Sequence, residues 1–195
     1  MKSTLNRLLG PVYHGRDLYS HSVLHDASFD IIISGLLRKD AEELISDVYK
    51  NSTPVNILSR VESALSSVES SCSVSYTAAL QYVGRNMSGP HIRFAGVGGK
   101  QRYFLNGDNE VVVGESVKPV VSDVSVHLYD KLFLCSPGVA NNFTDSEITN
   151  MLKMSSNPNN GIRNLRSSLK EKKSKKENYF YGDQTAALRY FDRVL

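Results

Sequence analysis

The chain has 195 residues, a net charge of +3 and 41% hydrophobic residues. That length suits one globular domain with its own core, and so mild a positive charge does not argue for a nucleic-acid partner. Two cysteines, Cys72 and Cys135, make no disulfide framework and fit a reducing, cytoplasmic or otherwise intracellular setting.

The first ten residues have no apolar run of the kind a secretory signal needs, and no segment reaches the roughly 20 apolar residues that span a bilayer. Residues 1–20 carry no clear pattern and are read as a loosely ordered extension of a single domain covering 1–195. The β-branched run Phe29-Asp30-Ile31-Ile32-Ile33-Ser34 predicts a strand, broken at Gly35. From Lys39 to Lys50 the apolar residues Ala41, Leu44, Ile45 and Val48 share a helical face. After the breaker Asn51-Ser52-Thr53-Pro54, a second helix is predicted from Ile57, Leu58, Val61, Ala64, Leu65 and Val68.

The pattern then turns to strands, at Val74–Val83, Ile92–Val97, Gln101–Leu105, Glu110–Val113, Val120–Leu128 and Leu132–Cys135. Asn106-Gly107-Asp108-Asn109 is a hairpin-turn signal between two of them. Thr144 and Glu147 form a capping-box pair ahead of Ile148, Met151 and Leu152. Ile162–Leu169 predicts a further helix, the lysine-rich 170–176 stretch a solvated connection, and Thr185–Phe191 a last strand. The order is α+β, with helices packed outside antiparallel sheets.

Most familiar chemistries find no support. The five histidines show no ligand spacing backed by other residues, so zinc is not expected. Gly96-Val97-Gly98-Gly99-Lys100 lacks the Ser or Thr of a phosphate loop and has no helix after it. No Gly-x-Ser-x-Gly occurs, so serine-hydrolase chemistry is not indicated.

Four segments, in order, resemble the metal-dependent protein phosphatases of type 2C. Phe29–Gly35 with its helix matches a strand leading into Asp-Gly-x-Gly-Gly. Ser75-Tyr76-Thr77-Ala78-Ala79-Leu80 is similar to the Gly-Thr-Thr-Ala strand start. Phe94–Leu105 is similar to Ala-Asn-Val-Gly-Asp-Ser-Arg-Ala-Tyr-Leu. Leu132–Gly138 resembles the strand into Ser-Asp-Gly, and Gly182-Asp183-Gln184-Thr185 the closing Asp-Asn-x-Thr. The resemblance covers roughly residues 20–191 and the compact bacterial form of the family. It implies an α-β-β-α sandwich of two antiparallel sheets flanked by helices.

The family holds two Mg²⁺ or Mn²⁺ ions on carboxylates, because such hard cations take oxygen ligands. Carried over by position, those carboxylates are largely gone. The Asp of Asp-Gly-x-Gly-Gly falls on Ser34, before Gly35. The Asp of Val-Gly-Asp-Ser-Arg falls on Gly99, and that of Ser-Asp-Gly on Pro137, before Gly138. The final Asp is kept as Asp183, with Gln184 in place of Asn, and the early acid is matched to Asp26. From the residues alone, Asp183 is a turn carboxylate and Asp26 a cap or turn residue. The resemblance makes them the residual metal candidates. The expectation is a catalytically inactive, pseudophosphatase-like module without a cofactor, binding a protein partner and acting as a regulator. The alternative is a divergent active phosphatase using Mn or Mg. Lys172, Lys173, Lys175 and Lys176 are candidate contacts for an anion or a partner, weighed against a plain solvated surface.

Overall fold

The computed structural model describes residues 2–8, 17–24, 27–68, 74–83, 90–97, 102–105, 111–113, 122–176 and 179–193. Ten strands and five helices are described there. They are β1 (Lys2–Leu8), β2 (Leu18–Leu24), β3 (Ala27–Ser34), α1 (Arg38–Lys50), α2 (Ile57–Ser66), β4 (Ser75–Val83), β5 (Pro90–Val97), β6 (Arg102–Leu105), β7 (Val111–Val113), β8 (Ser122–Ser125), β9 (Lys131–Cys135), α3 (Pro137–Ala140), α4 (Asp145–Lys153), α5 (Pro158–Lys175) and β10 (Ala186–Arg193).

Two five-stranded sheets result, ordered β1-β10-β9-β6-β7 and β2-β3-β4-β5-β8. Every described pairing is antiparallel. The period-2 alternation of β3 explains how the layers form. Phe29, Ile31 and Ile33 point to one face and pack with Ala41, Ile45 and Val48 of α1 and Ile57, Leu58, Val61 and Leu65 of α2. Ile32 points to the other face and packs between the sheets with Ile92, Phe94, Leu132, Leu134 and Phe191. On the far side, Phe133, Leu188 and Tyr190 meet Ile148 and Leu152 of α4 and Ile162, Leu165 and Leu169 of α5. This is the expected α-β-β-α sandwich.

Two parts of the sequence reading change. Residues 2–8, set aside as an extension, are the edge strand β1 beside β10. The lysine-rich stretch is not a connection but the last turns of α5. Lys172 donates to Glu147 at 2.8 Å and sits 5.0 Å from the centre of the Phe143 ring, while Lys175 pairs with Glu171 at 2.6 Å. Those contacts let a strongly charged segment stay helical until Lys176 takes a left-handed conformation at φ 55°. The capping box at Thr144 is present as expected, with Glu147 N donating to Thr144 Oγ1 and Thr144 N donating to Glu147 Oε2.

One polar group crosses the inter-sheet layer. Arg189 of β10 donates to Asp30 of β3 at 2.7 Å, and the two side chains are 6% and 4% exposed. Tyr19 donates to Asp30 at 2.6 Å, and His21 Nδ1 lies 2.9 Å from the same carboxylate. The second arm of Arg189 reaches Ser28 at 3.0 Å and Gln81 at 3.2 Å.

Candidate functional site

The site forms where strands from both sheets end. In the β2–β3 hairpin Leu18 pairs with Ile33, so Asp17, one residue earlier, stands opposite Ser34. Gly35 follows with φ 94°, a left-handed turn that takes the chain away from the sheet toward α1. In the other sheet Cys135 pairs with Ala186, which sets Ser136 opposite Thr185. Ser136 N donates to Thr185 O at 2.8 Å, Thr185 N to Ser136 Oγ at 3.1 Å, and Ser136 Oγ to Asp183 O at 2.9 Å. One serine thus fixes the whole 183–185 segment.

Asp17 is the centre of this group. Its Oδ2 is buried and has no hydrogen-bond partner among the described residues. Burial pushes its carboxyl above the ordinary range and the charge of Asp183 adds to that, while the hydroxyls of Ser34, Ser136 and Thr185 pull it down. Cys135 lies close enough that Asp17 adds to the effect of burial in raising its thiol, so this is an inert buried cysteine.

The loop that carries Asp183 is held from behind. A Cβ on Gly138 would stand 1.8 Å from the carbonyl oxygen of Asp183, so only glycine allows α3 to approach this closely. Asn142, 5% exposed, donates to Gly138 O at 2.7 Å and Phe180 O at 3.0 Å, and accepts from Phe180 N at 2.9 Å. Gln184 donates to the Tyr179 hydroxyl.

The residues singled out from sequence fall as follows. Ser34, Pro137, Gly138, Asp183 and Gln184 come together at this end of the sandwich. Asp26 and Gly99 lie outside the described residues. Pro137 opens α3, where its missing N–H is no loss and its fixed φ suits the first helical turn. Lys172 and Lys175 line a groove of about 450 Å³ between α4 and α5, with Phe143, Glu147, Met151 and Ser168. Lys173 is exposed on the same helix and Lys176 at its C-cap. Asp17, Thr185 and Asn142 were missed. Asp17 could have been found by pairing Leu18–Leu24 with Ala27–Ser34, since that register alone puts it across from Ser34.

The donor set among the described residues does not fit a two-metal centre. Asp17 and Asp183 carry two negative charges against four on two dications, Ser34 and Ser136 offer neutral hydroxyls, and Pro137 has no side-chain oxygen. Among the described residues no group of three or more His, Cys, Asp or Glu is placed to hold a metal. The combined charge of Asp17 and Asp183 equals that of a single divalent cation.

Replacing Asp17 by Asn tests how this carboxylate is satisfied. A carboxyl whose folded pKa is raised contributes stability below its unfolded pKa of about 3.9 and loses it as pH rises through the folded value. The Asn variant is therefore expected to unfold at higher urea than the parent at pH 7, by about 1 kcal/mol, with the gap closing toward pH 4. Lower stability at pH 7 would mean that the carboxylate is satisfied in the folded protein, by the hydroxyls of Ser34, Ser136 and Thr185 or by a bound cation.

No protein-family model matches the chain, and no curated protein matches it. Solved structures do match. The S. agalactiae serine/threonine phosphatase superposes with a TM-score of 0.70 at 14% identity, over 98% of this chain and 99% of that one. RsbX in complex with magnesium gives 0.71 at 12% identity, over 97% and 94%. The catalytic domain of the serine/threonine protein phosphatase PstP with two manganese ions gives 0.61 at 11%, over 97% of each. The chain has a type 2C phosphatase-like fold.

The magnesium and manganese in two of these neighbours correct one expectation from the sequence, that the protein works without a cofactor. Those two solved structures hold Mg²⁺ or Mn²⁺, and the residues at Ser34 and Pro137 do not by themselves make a cofactor-free protein. No helix among the described residues is long and apolar enough to cross a membrane.

Proposed function

We propose that the chain is a pseudophosphatase-like domain, a type 2C phosphatase scaffold that has given up phosphoester hydrolysis and serves as a regulatory, protein-binding module. The observation that carries this reading is the pair of replaced acids at the sheet ends. Ser34 closes β3 and Pro137 opens α3, at the two positions where the resemblance puts metal-binding aspartates. Replacing those carboxylates takes away oxygen ligands that hard dications require to hold a bridging water. The scaffold around the loss is intact. Gly138, Asn142 and Ser136 still hold the Asp183 loop in a defined place, as a binding surface requires.

A second reading is favoured by one feature, the buried Oδ2 of Asp17 beside Asp183. Two acids at the right end of the sandwich are the remnant from which a divergent active phosphatase would be built. The test is hydrolysis of p-nitrophenyl phosphate and of a phosphoserine peptide at millimolar Mn²⁺ or Mg²⁺. The expected rate equals that of a heat-denatured control. Metal-dependent hydrolysis that disappears in Asp183→Asn would overturn the binding-module reading and install the phosphatase.

A further inference from the structure

Helix α5 carries two different charged shoulders. On the side facing α4, its cations are already spoken for, since Lys172 pairs with Glu147 and Lys175 with Glu171. On the other side lie Arg163, Arg166, Lys170 and Lys173, all exposed. Their spacing of i, i+3, i+7 and i+10 puts them on one face, a stripe running about 15 Å along the helix. Among the described residues, none of the four makes an ion pair. Arg163 has a neutral contact only, donating to Asn160 Oδ1 at 2.9 Å.

Like charges three and four residues apart repel, so this face works against its own helix. The helix tolerates it because Pro158, Gly161, Ile162, Leu165 and Leu169 are buried on the adjoining face and Asn157 caps the N-terminus. The stripe is therefore rigidly presented and, among the described residues, electrostatically unsatisfied. We propose that the α5 face formed by Arg163, Arg166, Lys170 and Lys173 docks an acidic, Asp- and Glu-rich segment of a partner protein. This names the partner class for the binding-module reading above and rests on it.

A polypeptide is favoured over nucleic acid on three counts. The stripe is short, the chain's net charge is only +3, and no aromatic side chain interleaves the four cations to stack a base.

The test uses the full chain and a short fluorescein-labelled peptide of Asp and Glu, followed by anisotropy at low salt. Saturable binding that weakens as salt is added is expected. The variant Arg163→Gln, Arg166→Gln, Lys170→Gln, Lys173→Gln is expected to bind about tenfold more weakly. Glutamine is close to Lys and Arg in helix propensity, so the fold persists, which circular dichroism confirms on the same sample. The control Lys172→Gln, Lys175→Gln is expected to bind like the parent. Absence of binding, equal loss in both variants, or tighter binding to an oligonucleotide or an anionic vesicle would overturn the proposal. Hydrolysis assays on the same preparations report separately on the pseudophosphatase reading, because phosphatase activity could stand or fall without changing the peptide result.

Discussion

Replacing Arg189 by Met is expected to lower folding stability by about 3–5 kcal/mol, read as a fall in the urea midpoint. The cost comes from what stays behind. Asp30 is 3% exposed and its carboxylate is held by Arg189, Tyr19 and His21. Take away the guanidinium and a buried charge loses the partner that offset its desolvation. Replacing both residues by apolar side chains, Asp30→Leu with Arg189→Met, is expected to cost less than the single change, since no stranded charge remains. A double variant worse than the single would refute this account.

The same carboxylate sets an acid limit. Burial raises the Asp30 carboxyl, but the hydrogen bond from His21, the Arg189 charge and the Tyr19 hydrogen bond outweigh it and hold the group below the ordinary carboxylate range. A depressed folded pKa adds stability above the unfolded value of about 3.9 and loses it as pH falls through the folded value. Stability is thus expected to drop below pH 4, and Asp30→Asn is expected to flatten that slope.

The second large effect is Gly138→Ala. An added Cβ would lie 1.8 Å from Asp183 O, 2.7 Å from its carbonyl carbon and 3.0 Å from the Gly182 carbonyl carbon. All three are backbone atoms, so no flexible side chain can swing aside. Either α3 or the 182–185 loop must move, and overpacking of this kind costs about 1–3 kcal/mol. The displacement also disturbs Ser136, which bonds to that loop from its other side. A crystal structure of the variant would show Asp183 moved from its present position relative to Ser136. An unmoved loop with full stability would mean that the tight packing of Gly138 is not needed.

Much of the sandwich was legible because its elements carry their own periodicity. The apolar run of β3, the helical stripes of α1 and α2, and the Thr144–Glu147 box each declare themselves within a dozen residues. β2 did not, because Tyr19 and His21 are polar and at most half-buried, and they serve a carboxylate on the neighbouring strand. That omission hid Asp17, whose position depends on a hairpin register. The end of α5 was misread for a similar reason. Lys172 depends on Glu147, which belongs to a different helix. The Asp30–Arg189 pair joins residues from opposite ends of the chain, which no local pattern reveals.

The place of β10 has a consequence for how the chain is made. It lies between β1 and β9, and Lys2 pairs with Arg193. The sheet of β2, β3, β4, β5 and β8 is complete once residue 125 has emerged from the ribosome. The other sheet must wait for a strand synthesised after all its neighbours. Until then β1 and β9 both present open hydrogen-bonding edges, the feature that invites pairing with foreign strands. Ribosome-bound fragments ending before residue 186 are where aggregation or chaperone capture should concentrate.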